Sequence, residues 1–198
     1  MDVDFWNQRY SAEDYVYGVE PNVFLVEQAS HIPAGRVLCL AEGEGRNAVY
    51  LAGLGYEVTA VDMSEAGLAK ARRLAAIKGV TITTQLADLE SYEIEAGAWQ
   101  GVVSIFAHVP PLLRRRLYSA AVNGLRPGGV VIVEAYTPRQ LQYQSGGPRQ
   151  ADLLVSLAML REEFRGLIEI VGREVERQVV EGKYHSGLGA VVQYAARK

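Results

Sequence analysis

The sequence predicts an α/β fold: a doubly wound, mostly parallel sheet with helices on both faces. Three observations predict it. Short, continuously apolar runs recur along the chain, as strands buried on both faces of a parallel sheet require. Segments with apolar residues at helical spacing separate them, as crossover connections demand. Glycine or proline stands at most junctions, where each ends one element or opens the next.

The run 36–41 is the first strand, introduced by Pro33-Ala34-Gly35. Glu42-Gly43-Glu44-Gly45 is a turn, and residues 46–54 then place Ala48, Leu51 and Ala52 at helical spacing before Gly55 stops the helix. Residues 56–62 form the second strand. Ser64 is a good N-cap for a helix over 65–78, which Gly79 ends. The β-branched stretch 80–84 is the third strand. A looser segment, 85–100, carries Ala87-Asp88-Leu89. Residues 101–106 are the fourth strand, and Pro110-Pro111 opens a helix that ends near Leu125. Arg126-Pro127-Gly128-Gly129 turns tightly into the fifth strand, 130–135. Residues 140–150, centred on Ser145-Gly146-Gly147-Pro148, are a loop. Leu153, Leu157, Leu160 and Phe164 share one face of a helix over 151–165. The segments 167–180 and 188–195 read as an antiparallel pair joined around Gly182 and Gly187, which makes seven strands. The 198 residues suit a single domain, with residues 1–30 as a helical, aromatic cap on a core formed by 31–198.

Charge and cysteine usage narrow the function. The balance of 20 Lys+Arg against 23 Asp+Glu argues against binding nucleic acid or an anionic membrane by bulk charge. Cys39 is the single cysteine, set in an apolar run, and reads as a small buried hydrophobe in a reducing compartment. The N-terminus, Met1-Asp2-Val3-Asp4, has acids where a signal peptide carries bases, and no apolar stretch approaches about 18 residues. A cytoplasmic protein without a membrane span is expected. Three histidines and one cysteine show no metal-ligand spacing, so no metal is expected.

In a doubly wound sheet, ligands bind at the carboxyl ends of the strands where strand order reverses. The loops around Gly43, Asp62, Asp88 and Phe106 therefore form the site. Gly43 and Gly45 permit a sharp turn and close ligand approach, and the helix that follows offers free N–H groups. Asp62 ends the second strand roughly 20 residues after the glycine turn, where an acid accepts from both ribose hydroxyls. A nicotinamide cofactor calls for G-x-G-x-x-G/A. Read from Ala41, the last position is Arg46. Read from Gly43, it is Ala48, so a dinucleotide stays open. Glu42 and Glu44 would repel a pyrophosphate, whereas a cationic cofactor tolerates them.

The segment 37–47, Val-Leu-Cys-Leu-Ala-Glu-Gly-Glu-Gly-Arg-Asn, resembles the first motif of class I S-adenosylmethionine-dependent methyltransferases. Asp62 matches their ribose-binding acid, Ala87-Asp88-Leu89 the motif whose acid accepts from the adenine amino group, and residues 125–129 the turn before their fifth strand. The likeness extends to small bacterial methyltransferases related to the tellurite-resistance and thiopurine methyltransferase groups. It includes residues 6–10, 15–18 with 20–22, 140–143 with 146–148, and 182–187. The resemblance implies a Rossmann-like fold, S-adenosyl-L-methionine as cofactor and a small-molecule methyl acceptor. It implies a cofactor site of Glu42, Gly43, Glu44, Gly45, Arg46, Asn47, Asp62, Met63, Ala87, Asp88, Leu89, Phe106, Tyr15 and Tyr17. This chain departs from the motif at Cys39, where an acid is usual, and at Ala41, where glycine is usual. Glu42 lies near enough to take over the acid's role.

Methyl transfer from a sulfonium is an in-line displacement, in which the protein supplies proximity, alignment and exclusion of water. His108, just past the fourth strand, is read either as a catalytic residue at the substrate or as a residue shaping the cofactor pocket. In the tellurite-resistance relatives a His and an Arg of the region near His185 are implicated at the substrate site, so His185 is the second catalytic candidate; the alternative is an exposed hairpin histidine. The segment 104–110 lacks the Asn/Asp-Pro-Pro-aromatic signature of nucleic-acid amino-methyltransferases. Arg114-Arg115-Arg116 reads as a solvated helix face, and residues 145–147 as a lid or plain loop. Six aromatics (Phe5, Trp6, Tyr10, Tyr15, Tyr17, Phe24) precede the first strand, either as a cover over the cofactor's mouth or as packing on the sheet edge. The leading expectation is a methyltransferase acting on a small molecule. A NAD-dependent oxidoreductase and a non-catalytic S-adenosylmethionine-binding protein are the alternatives.

Overall fold

The computed structural model describes residues 2–198; Met1, part of the N-terminal reading above, lies outside the described residues. Seven strands form one sheet: β1 (Arg36–Leu40), β2 (Glu57–Asp62), β3 (Thr83–Leu86), β4 (Trp99–Ile105), β5 (Leu125–Tyr136), β6 (Ile168–Val180) and β7 (Ser186–Arg197). Their order is β3-β2-β1-β4-β5-β7-β6. The first five are parallel, and β7 runs antiparallel to both β5 and β6. The helices are α1 (Val3–Tyr10), α2 (Val23–Gln28), α3 (Arg46–Gly53), α4 (Glu65–Lys78), α5 (Pro111–Gly124) and α6 (Leu157–Glu163). This is the mostly parallel, doubly wound Rossmann-like architecture that the apolar runs predict.

Alternation along the strands divides the core into two layers. In β1, Leu38 and Leu40 face α5 and α6, where Leu113, Leu117 and Phe164 pack, whereas Val37 and Cys39 face α2 and α3, with Phe24, Leu25 and Leu51. Cys39 is fully buried and free, as its apolar run predicts.

Three elements differ most from the sequence reading. The third strand starts at Thr83, not at 80, because Val80 and Ile82 pack on the small cluster of Val49, Leu74 and Ala75. The fifth strand begins at Leu125, which pairs with Trp99 before the register shifts and pairing resumes at Gly101 and Val130. The helix read over 151–165 is broken. Residues Ala151–Leu153 make one 3₁₀ turn, and Val155 then donates its N–H to the carbonyl of Tyr136 at 2.9 Å. That bond carries the chain in extended form to Ser156, whose hydroxyl caps α6. The carboxyl ends of β1 and β4, neighbours whose connections leave to opposite sides, define the crevice.

Candidate active site

The loop after β1 is shaped by backbone that few residues adopt. Ala41, Gly43 and Gly45 have φ of +50°, +61° and +89°. A Cβ at Gly43 would lie 2.6 Å from the Tyr10 hydroxyl oxygen, and one at Gly45 would lie 2.5 Å from the Ala71 methyl carbon. Gly43 thus admits the N-terminal segment over the loop, and Gly45 lets α3 close on α4. Glu42 folds back, and one carboxylate oxygen accepts from the N–H groups of Asn47 and Ala48 at 2.9 and 2.8 Å. The first turn of α3 is capped by the protein's own acid. Burial pushes the Glu42 carboxyl up to about 7 and the neighbouring Cys39 thiol well above its usual range.

Asp62 ties three loops together. Its two oxygens accept from the N–H groups of Gly43 and Ser64, each at 2.8 Å, and its carbonyl accepts from Ala87 at 3.0 Å. Burial raises its carboxyl, and the N–H groups of Ser64, Gly43 and Met63 oppose the rise. A carboxylate has about four lone-pair sites, so Asp62 keeps capacity for a ligand. Asp88 sits on the next loop, accepting from the Glu90 N–H at 2.9 Å. Arg116 of α5 secures that loop through the carbonyls of Leu89, Glu90 and Tyr92.

Other residues of the expected site face elsewhere. Glu44 accepts from the N–H groups of Val16 and Tyr17 at 3.2 and 3.1 Å and pairs with Lys70 at 2.7 Å. Lys70 also donates to the carbonyl of Asp14, and the Tyr15 hydroxyl donates to the carbonyl of Lys70. Glu44 and Tyr15 therefore fasten the N-terminal segment. Asn47 accepts from the N–H of Asn22 at 2.9 Å. Arg46 pairs with Glu181 in a buried network that also holds Asn22, Glu134, Arg177 and Gln193. Arg114, in the run read as a solvated face, is instead buried and gripped by Glu163 at 2.9 Å, because α6 packs over it.

At the ends of β4, β5 and β7, rings converge. Phe106 has φ of +54°, a strained value for a residue with a side chain, and donates its N–H to the carbonyl of Glu134 at 2.7 Å. Its ring centroid lies 4.6 Å from that of Tyr136 and 4.7 Å from that of His185, and Tyr17 lies 4.7 Å from His185 on another side. His108 stacks on Tyr136 at 5.6 Å. The cluster thus joins His108, His185, Phe106 and Tyr17, residues scattered over the sequence. His185 is buried, not an exposed hairpin residue. Burial drives both imidazoles toward the neutral form, to about 4 for His108 and about 3 for His185. The segment 145–147 closes over the cluster: Gln140 donates to the Ser145 hydroxyl and the Gly146 carbonyl, and a Cβ at Gly147 would lie 2.6 Å from the Tyr136 ring. A cleft of about 480 Å³ lies beside it, lined by residues including Arg9, Tyr15, Val16, Lys183 and Tyr184.

Sequence reasoning missed Tyr136, Glu134 and Glu181. Glu134 had a signal: it is the lone acid in an apolar strand, and such a residue is buried only with partners. Among the described residues, no group of His, Cys, Asp or Glu is arranged to hold a metal ion, and no helix is long and apolar enough to cross a membrane.

Comparison with known proteins agrees with the fold. Residues 37–129 match the family model described as "Methyltransferase domain". A structure reported for the conversion of a disulfide bond into a thioacetal group during echinomycin biosynthesis is similar, at 20% identity and a TM-score of 0.78, over 99% of this chain and 91% of that one. TehB from Haemophilus influenzae is similar at 20% identity and a TM-score of 0.74; the match spans 99% of this chain and 66% of TehB. The N-methyltransferase NodS from Bradyrhizobium japonicum WM9 is 14% identical, with a TM-score of 0.68 over 100% of this chain and 98% of NodS. No curated protein sequence matches significantly. At these identities the likeness is one of fold. Residues 37–129 carry the sequence pattern of a methyltransferase domain, and the whole chain has the Rossmann-like fold on which the N-methyltransferase and its structural neighbours are built.

Proposed function

We propose that the chain is an S-adenosyl-L-methionine-dependent methyltransferase that transfers a methyl group to a small molecule by in-line displacement. The observation that carries this reading is the pairing of the Gly43 loop with Asp62, next to a first turn of α3 that Glu42 already caps. A helix N-terminus serves a pyrophosphate through its free N–H groups. Here two of those groups are taken by a carboxylate, which disfavours a nicotinamide dinucleotide and suits a cofactor that brings positive charge. Gly43, without a Cβ, lets the loop turn beneath Tyr10 and brings its N–H to Asp62. Asp62 would hold the ribose hydroxyls and Asp88 the adenine amino group, with Met63, Ala87 and Leu89 around the base.

When bound, the cofactor supplies a methyl group activated on a sulfonium. The chain's own residues align the acceptor and keep water out. Phe106, Tyr17, Tyr136, His108 and His185 form the acceptor's place, and enclosed rings of this size suit a small molecule. His108 and His185 are the residues we place against the acceptor. A single buried thiol agrees with a reducing compartment, and we place the protein in the cytoplasm.

Calorimetry with S-adenosylhomocysteine tests the reading. The wild type is expected to bind, and Asp62→Ala to lose at least about tenfold in affinity, the scale of one to two lost hydrogen bonds to a charged group. NAD is expected to give no heat. Absence of S-adenosylhomocysteine binding, or equal binding by Asp62→Ala, would overturn the reading.

A further inference from the structure

Three side-chain polar atoms in the ring cluster are enclosed without any hydrogen-bond partner among the described residues: His108 Nε2, His185 Nδ1 and the Tyr136 hydroxyl. Each such atom costs about 1–3 kcal/mol when left unpaired. Three of them together, on rings in mutual contact, mark a place prepared for a ligand.

One of the three has its chemistry fixed. His108 Nδ1 lies 3.2 Å from the carbonyl oxygen of Leu153. A carbonyl can only accept, so Nδ1 carries the hydrogen. In a neutral ring the other nitrogen, Nε2, then presents a bare lone pair. Three arginines near the cluster are paired with acids. Arg46 is held by Glu181, Arg114 by Glu163, and Arg177 by Glu134 and Glu181. Arg9 lies over the rings of Phe5 and Tyr184 and donates to the Tyr17 hydroxyl.

We propose that the methyl acceptor enters uncharged, presents a hydroxyl or thiol hydrogen to His108 Nε2, and gives that proton to His108 as the methyl group arrives. The inference rests on the methyl-transfer reading and names its substrate class. The acceptor's lone pair forms the bond to the methyl carbon while the carbon–sulfur bond of the sulfonium breaks, and that bond's electron pair stays on the cofactor sulfur. The acceptor atom, now bearing both methyl and hydrogen, is a strongly acidic onium. Its proton passes to Nε2, leaving a neutral methyl ether or thioether, and the imidazolium then releases the proton to water.

The low basicity of the buried ring is compatible with this order of events, because the proton leaves only after the onium has begun to form. It also offers no help to an amine, which would leave with its proton still on nitrogen. A methylated alkylammonium holds its proton to about pH 10, far above a ring that titrates at about 4. An anionic acceptor atom is disfavoured because, once deprotonated, it carries no hydrogen for the bare lone pair of His108 Nε2 and would leave that enclosed atom unpaired.

The test uses the whole chain labelled with ¹⁵N-histidine and saturated with S-adenosylhomocysteine. Its NMR spectrum is expected to show His108 neutral and protonated on Nδ1 from pH 8 down to about 5. An Nε2-protonated or charged ring at pH 6 would overturn the proposal. Titration then compares 2-mercaptoethanol with 3-mercaptopropionate. The uncharged thiol is expected to shift His108 Nε2 at concentrations at least about tenfold lower, the scale of an unpaired buried charge's penalty. Equal responses, the reverse order, or no response to either overturn the assignment. In transfer to 2-mercaptoethanol, His108→Phe is expected to lower kcat about 100-fold with little change in KM, the usual weight of a general base. An unchanged kcat overturns the proton role. A wild type that fails to bind S-adenosylhomocysteine at all overturns the underlying methyl-transfer reading instead.

Discussion

Gly43 shows what one residue decides. Its φ of +61° is reached cheaply by glycine alone, and the space a side chain would take is filled by the Tyr10 hydroxyl. Gly43→Ala is therefore expected to cost about 1–3 kcal/mol, from left-handed strain plus a steric clash. Tyr10→Phe should recover part of that loss in the double variant by removing the atom met first. Urea unfolding of the two single variants and the pair measures the coupling; additive costs would show that the clash is absent. Gly43, Asp62 and Asp88 were legible in the sequence because turn chemistry and spacing place them at strand ends. Tyr10 was legible as an aromatic of the N-terminal segment, but its seat on Gly43 was not, since no local pattern encodes which loop a remote ring covers.

At the scale of elements, the same limit explains both what was read correctly and what was not. Helix α4 runs from Glu65 to Lys78 as its caps predict, because Ser64 and Gly79 act locally. The helix read over 151–165 failed because the carbonyl of Tyr136, distant in sequence, binds Val155. Glu134 is the strongest case of non-local design. It is fully buried in β5, and its carboxylate accepts from Asn22, Arg177 and Gln193, which lie before β1, on β6 and on β7. Glu134→Gln keeps the shape but removes the charge that Arg177 is buried against. Breaking one partner of a buried pair typically costs 3–5 kcal/mol, so a loss of about that size is expected in urea unfolding. A loss below about 1 kcal/mol would mean that the network does not join these elements energetically.

For the molecule as a whole, the alternation of strands and helices was sufficient for the sheet and its helical layers, since each element's pattern is local and only one hand of crossover is favoured. The placement of the glycines and acids beyond the strand ends was legible, and the protonation states there were not, because they depend on burial. Those states predict an unusual pH dependence. In the folded chain His108 and His185 titrate at about 4 and about 3, below the ordinary histidine value of 6.5, so they stabilise the fold above pH 6.5 and that contribution is lost as pH falls. Glu42 works in the opposite direction. Its folded value of about 7 lies above the ordinary 4.5, so its contribution is full below pH 4.5 and is lost as pH rises through 7. Each titrating group changes stability by about 1.4 kcal/mol per pH unit. Between pH 6.5 and 4.5 two histidines lose and one carboxyl gains, for a net loss from these groups of about 1.4 kcal/mol per unit. Glu42→Gln retains an oxygen for the N–H groups of Asn47 and Ala48 but cannot ionise. Its stability should fall about twice as steeply over that range, and at pH 8 it should exceed the wild type by about 3 kcal/mol. Urea unfolding of both proteins at pH 8, 6.5 and 5 decides the matter. Parallel curves would show that Glu42 titrates alike in folded and unfolded chains, and that the acid capping α3 is not held against its burial.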